Sequence, residues 1–189
     1  MSCTGLLGGT FNPPHNGHVL LAETAREQFG LDPLRVHVST HPPHKRVDVP
    51  VETRLELTRL AFPDDIVVRD DHPYSIDTVT GYGDDAIFLV GADQFAQFLT
   101  WREPDEILEH VRLGVATRPG YGREELDAVL RALRRPDRVE LFDMEPVPIS
   151  SSDIRRLTSE GASVRDQVPP PVVAEIERLG LYRRHAGVS

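Results

Sequence analysis

The apolar and polar positions along this chain switch between a short, strand-like pattern and a helical one. Leu6 and Leu7 lie in a brief apolar stretch ending in Gly8-Gly9, which predicts a buried strand entering a tight turn. From Asn16 the period is helical, with Leu21, Ala25 and Phe29 on one face and Gly30 as its stop. Arg35 to Val38 alternates as a second strand. Val51, Leu55, Thr58 and Phe62 then trace a helix that Pro63 ends. Ile66 to Val68 predicts a third strand, Tyr74 to Tyr82 a short helix, and Ala86 to Val90 a buried strand ending at Gly91. Beyond it come a helix at Glu103 to His110, a strand at Leu113 to Ala116, and an amphipathic helix carrying Leu126, Val129, Leu130 and Leu133. Val139 to Phe142 predicts one more strand. Helices follow near Ser152 to Ser159 and Pro171 to Leu179, the latter opened by prolines that suit a first turn.

Strands alternating with helices predict an α/β fold, a doubly wound parallel sheet with helices on both faces. With no repeat, low-complexity tract or linker, residues 1–189 are expected to form one domain. Ligands of such sheets bind beyond the carboxyl ends of the strands, near the point where strand order reverses. Gly8-Gly9, Ser39 to Lys45 and Gly91 to Asp93 all fall at predicted strand ends, so three separate segments are expected at one rim.

Composition narrows the range of functions. The longest apolar runs are far too short to span a membrane, and Met1 to Leu7 has neither a basic region nor a cleavage-like site. Cys3 is the only cysteine, which excludes an internal disulfide and fits a reducing compartment, so cytoplasm is the expected location. The net charge of −9 disfavours a general nucleic-acid binder. It leaves room for an anionic small molecule, because a pocket needs only local cations, and these cluster at His41 to Arg46 and at Arg155-Arg156.

Two strings carry candidate chemistry. In Gly8-Gly9-Thr10-Phe11-Asn12-Pro13-Pro14-His15-Asn16-Gly17-His18, glycines after a strand let backbone approach a phosphate. His15 and His18 are three apart at a helix start, so their rings can turn the same way and donate to phosphate oxygens. The plainer alternative is a glycine turn, an N-cap at Asn16 and two solvated histidines. No Gly-Lys-Ser/Thr follows, which excludes a Walker A loop, and the string is not GxGxxG. The eight histidines lack the pairing expected of a zinc site. In Ile149-Ser150-Ser151-Ser152-Asp153-Ile154-Arg155, serines can cap a helix or hold a phosphate, and Arg155 can neutralise a leaving pyrophosphate. An ordinary N-cap with a solvated arginine explains that segment equally well when it is taken alone.

Together the strings resemble the HxGH nucleotidyltransferase superfamily. The further segments Pro42-Pro43-His44-Lys45, Tyr74-Ser75-Ile76-Asp77-Thr78, Val90-Gly91-Ala92-Asp93, Leu99-Thr100-Trp101, Arg118-Pro119-Gly120-Tyr121 and Gly180-Leu181-Tyr182 resemble its nicotinate-mononucleotide adenylyltransferase branch. The resemblance implies a Rossmann-like sheet, ATP and nicotinate mononucleotide as substrates, and nicotinate adenine dinucleotide and pyrophosphate as products. It implies that His15 and His18 contact the ATP phosphates with Lys45 and Arg155. Gly8, Gly9, Thr10, Phe11, Gly91 and Asp93 would line the nucleotide site, and Ser150 and Ser151 would add phosphate or adenine-side contacts. Trp101 would stack on the pyridine ring while the backbone N–H groups of Ser75 and Arg102 hold its carboxylate. Asn12 stands where the family often has aspartate, Ser75 where it often has threonine, and Arg102 where an aromatic is common.

Such a reaction needs no covalent intermediate, since a phosphate dianion is already a competent nucleophile. Mg²⁺ is expected to bind mainly through substrate phosphates, with no protein ligand named. Neither nucleic acid nor membrane is an expected partner, and homo-oligomerisation stays open. The competing readings are the same chemistry on another phosphorylated acceptor, a CTP-dependent relative, and a nucleotide sensor without turnover.

Overall fold

The computed structural model of the chain describes residues 3–42, 47–117 and 122–183. These form a six-stranded, all-parallel sheet in the order β3-β2-β1-β4-β5-β6. In chain order, β1 (Cys3–Gly9), α1 (Asn16–Phe29), β2 (Leu31–Ser39), α2 (Val51–Ala61) and β3 (Ile66–Asp70) build one half. The other half contains α3 (Ser75–Val79), β4 (Ala86–Gly91), α4 (Ala92–Phe95), α5 (Pro104–His110), β5 (Arg112–Thr117), α6 (Arg123–Ala132) and β6 (Val139–Asp143). The helices α7 (Ser151–Ser159) and α8 (Pro170–Leu179) follow.

Side chains of one strand point alternately to the two faces of the sheet, and both faces are covered. Leu7, Val36, Val38, Ile87 and Leu89 pack with α1, α2 and α8, whereas Leu6, Phe88, Val90, Leu113 and Val115 pack with α3, α5 and α6. This two-sided burial explains why β4 reads as an unbroken apolar run. The strand order reverses between β1 and β4, which pair from Thr4–Ala86 to Leu7–Leu89. Gly9 and Gly91, each two residues beyond that last pair, therefore end side by side at the crevice where ligands of open α/β sheets bind.

The predicted elements are all present, with three adjustments. β2 begins at Leu31 rather than Arg35. The helix expected to run to Tyr82 stops at Val79, because Thr80 leaves helical geometry and Gly81 takes a left-handed φ of 101°. The short α4 and the 3₁₀ turns Phe98–Thr100 and Pro136–Arg138 carry too few residues to show a period. No helix among the described residues is long and apolar enough to cross a membrane.

Candidate functional site

The segment after β1 leads straight into α1, and its shape follows from a few close contacts. Phe11 adopts φ 48° and turns its ring back under the loop, where it is buried. A Cβ on Gly9 would meet that ring at 2.9 Å, and a Cβ on Gly8 would meet the Phe88 ring at 3.2 Å. A side chain on Gly9 would therefore displace the Phe11 ring, and one on Gly8 would crowd Phe88. Phe11 is buried, so its side chain supports the loop from beneath.

His15, not Asn16, is the N-cap of α1, and His18 is its N3 residue. Their rings stack with centroids 3.6 Å apart and 25° between planes. The Phe11 ring abuts His18 edge-on at 5.0 Å. The backbone N–H of His15 donates to His18 Nδ1 at 3.2 Å. An accepting Nδ1 puts the proton of a neutral imidazole on Nε2, so His18 is fixed as an Nε2–H donor. His15 is buried, and burial pushes its pKa down to about 4. Its Nδ1 is buried with no hydrogen-bond partner among the described residues. A Cβ on Gly17 would meet Nδ1 and Cε1 of His15 at 3.1 and 3.2 Å, so glycine between the histidines is what lets the rings stack.

The loop between Gly9 and His15 is held from far along the chain. Arg155 Nη1 donates to the Asn12 carbonyl at 2.8 Å, and Ser151 Oγ donates to the Pro13 carbonyl at 2.8 Å. The Tyr182 hydroxyl donates to Asn12 Oδ1 at 2.7 Å. Arg54, itself buried, donates through Nη1 to the Thr10 carbonyl at 2.8 Å. Burial holds the Tyr182 phenol well above its ordinary pKa and keeps it a neutral donor, despite the nearby Arg155 and Arg54 charges. The N-terminus of α7 therefore lies against that of α1, and the positive ends of two helices face the same loop. Ser150 is the N-cap of α7, accepting from the Asp153 N–H at 3.1 Å, and Arg155 sits one turn further on. Its second hydrogen bond goes to Ser152 Oγ at 3.1 Å.

At the end of β4, Gly91 caps α4, and a Cβ there would meet nothing within 4 Å, so the crevice beside it is open. Asp93 is exposed in the first turn of α4; the cap itself is Gly91, not Asp93. The other face of the sheet carries the expected acceptor residues. Trp101 is half-buried against Phe98 and Phe88, 5.3 and 6.3 Å between centroids. Phe88 thus touches both the Gly8 backbone and Trp101. Ser75 opens α3, and the Arg102 guanidinium lies over the Tyr74 ring at 4.6 Å, joining the two expected acceptor segments. Lys45, with Pro43, His44 and Arg46, lies outside the described residues, as does the segment Arg118 to Tyr121.

Three features escape sequence reasoning. Arg54 is one. The Asn12–Tyr182 bond is another. The third is Asp70, a buried carboxylate that accepts from Thr78 Oγ1 at 2.8 Å and from the His72 N–H at 3.0 Å, with His37 Nδ1 3.9 Å away. Burial lowers the His37 pKa while the Asp70 charge raises it, burial being the larger effect. Asp70 ties the end of β3 to α3, beside Ser75. For Arg54 the signal was available: it heads the stripe Leu57, Thr58, Ala61 at helical spacing, all of them buried.

Comparison with known proteins identifies the family. The cytidylyltransferase-like family matches residues 6–157. A probable nicotinate-nucleotide adenylyltransferase of Thermomicrobium roseum is 37% identical over 198 residues, covering 97% of this chain and 92% of that protein. One from Thermus thermophilus is 38% identical over 192 residues, covering 95% of this chain and 98% of its own length. Among solved structures, the nicotinic acid mononucleotide adenylyltransferase of Plasmodium falciparum complexed with NaAD superposes with a TM-score of 0.72 at 15% identity. It covers 96% of this chain and 98% of that one, a likeness of fold. The 37% and 38% identity to the two bacterial relatives over nearly full length, with the matching family model, show that the chain belongs to the cytidylyltransferase-like family and, within it, to the nicotinate-nucleotide adenylyltransferases.

Proposed function

We propose that the protein transfers AMP from ATP to nicotinate mononucleotide, releasing pyrophosphate and forming nicotinate adenine dinucleotide. The observation that carries this reading is the stacked His15/His18 pair at the head of α1, with Arg155 and the start of α7 on the same loop, beside the open crevice at Gly91. The acceptor's phosphate oxygen attacks the α-phosphorus of ATP in line, and the bond to the β-phosphate oxygen breaks. No general base is needed, because the attacking phosphate is already ionised. The protein aligns the two nucleotides and stabilises charge as it moves onto pyrophosphate. In this reading His18 donates through Nε2–H, Arg155 and Lys45 supply cations, and the backbone of Gly8 to Phe11 cradles phosphate. Gly91 and Asp93 border the nucleotides, Asp93 as ribose partner, and Ser150 and Ser151 present α7. Trp101 stacks on the pyridine ring and the N–H groups of Ser75 and Arg102 meet its carboxylate.

Among the described residues no three His, Cys, Asp or Glu side chains gather at a spacing that could hold a metal ion. In the proposed reading a Mg²⁺ would arrive on the substrate phosphates, keeping some of its waters, and would neutralise phosphate charge. The reading takes the cytoplasm as the place of action. The test is to incubate the purified protein with ATP, Mg²⁺ and each of nicotinate mononucleotide, nicotinamide mononucleotide and phosphopantetheine, and to identify products by mass. Nicotinate adenine dinucleotide as the main product is expected, and turnover of phosphopantetheine alone would overturn the reading.

A further inference from the structure

Arg54 is 2% exposed, yet every hydrogen bond it makes to the described residues ends on a main-chain carbonyl. Nε donates to Val49 at 3.2 Å, Nη1 to Thr10 at 2.8 Å and to Ser39 at 2.7 Å, and Nη2 to Thr40 at 3.5 Å. A buried guanidinium is costly to desolvate and is ordinarily matched by a carboxylate. Here the planar fork instead gathers carbonyls from three separate stretches of chain. Thr10 belongs to the loop after β1, Ser39 and Thr40 to the end of β2, and Val49 to the approach to α2. Thr40 and Val49 flank the β2–α2 connection, so Arg54 roots both of its ends and the loop after β1 together. Arg54 is fixed in turn: Thr58 Oγ1 donates to its carbonyl at 2.6 Å, and both residues are buried.

We propose that Arg54 is a positioning residue for adenylyl transfer, setting the distance between the loop that leads to His15 and His18 and the end of β2. This rests on the adenylyl-transfer reading. It touches no reacting atom. Its effect is on alignment, where a displacement of about 1 Å costs on the order of 10²-fold in rate. A single ammonium cannot span four carbonyls that a planar fork reaches, so lysine replaces it only in part.

The test compares Arg54→Met and Arg54→Lys with the unmodified protein, with kcat normalised to folded enzyme and measured well below each Tm. Arg54→Met is expected to lose about 10²-fold in kcat while KM for both substrates stays within about threefold, and Arg54→Lys to recover about tenfold of that loss. A merely structural arginine would lower Tm and leave kcat per folded molecule unchanged. Should Arg54→Met not fold, Arg54→Lys decides: a drop in kcat of about tenfold supports the proposal, and turnover near the unmodified level overturns it. If the unmodified protein adenylates no acceptor, the adenylyl-transfer reading fails separately. Amide hydrogen exchange over residues 9–18 with a non-hydrolysable ATP analogue then decides for Arg54. Faster exchange in Arg54→Lys supports positioning, and unchanged exchange overturns it.

Discussion

The imidazole of His15 lies stacked on that of His18, 3.6 Å between centroids, while the His15 backbone N–H bonds the inner nitrogen of the His18 ring. One residue thus sets the tautomer of the other and covers its face. His18→Ala should reduce kcat by about 10²–10³, the scale for losing one donor to a transition-state oxyanion. Its KM for ATP should change far less. Near-normal turnover would remove His18 from the mechanism.

Gly17 tests the same stack without deleting either ring. Alanine favours a helix more than glycine by up to about 1 kcal/mol, so Tm should hold or rise slightly. Its Cβ, however, would crowd His15 Nδ1 at 3.1 Å. Gly17→Ala should therefore fold normally and lose at least about tenfold in kcat through displaced rings. A folded variant with full activity would show that the stack is not needed.

The buried His15 makes stability depend on pH. Its folded pKa, about 4, lies below the ordinary histidine value of 6.5. Between these values the unfolded chain binds more protons than the folded one, so stability rises with pH across that window. The contribution is complete above about pH 6.5 and is lost as pH falls toward 4. His15→Phe, which cannot titrate, should flatten the decline in Tm between pH 6.5 and 4. An identical decline would assign it to other groups.

Arg155 holds the Asn12 carbonyl as well as facing the loop, so its loss should act on both binding and alignment. Arg155→Ala should raise KM for ATP and slow both the forward reaction and pyrophosphorolysis, on the order of tenfold or more each. Arg155→Lys should recover only part, since an ammonium lacks the fork that spans Asn12 O and Ser152 Oγ. Full recovery in steady-state kinetics would mean that charge alone is required.

In the proposed reading, acceptor choice would rest on two N–H groups rather than on a side-chain cation. The Arg102 guanidinium is engaged over the Tyr74 ring. A carboxylate accepts from the N–H groups of Ser75 and Arg102 together. A carboxamide must turn its NH₂ toward one of them, a mismatch costing about 1–3 kcal/mol when buried. The expected preference for nicotinate over nicotinamide mononucleotide is at least about 10²-fold in kcat/KM. Arg102→Ala should keep most of that preference, and Trp101→Ala should weaken both acceptors alike. Equal kcat/KM for the two acceptors in the unmodified protein would sink this pocket.

How much of this was visible in the sequence depends on whether the signal is local. The sheet was legible because burial on both faces writes Ala86 to Val90 as an apolar run and the helices as periodic stripes. The glycines and the two histidines were legible because they are contiguous. Arg54 was legible only as the head of the stripe Leu57, Thr58, Ala61; its partners Thr10 and Ser39 were not, because they are distant in sequence. Asn12 and Tyr182 are 170 positions apart, and no local pattern links them. Asp70 reads as the first of two surface acids, yet it is buried and bonded to Thr78 while Asp71 is exposed.

Residues Thr10 to Asn16 draw their partners from Arg54, Ser151, Arg155, Gln167 and Tyr182. Ser151, Arg155 and Tyr182 stand 138, 143 and 170 positions from the loop residues they bond. The bonds that shape the loop before the two histidines therefore form only once this distant part of the chain has been made.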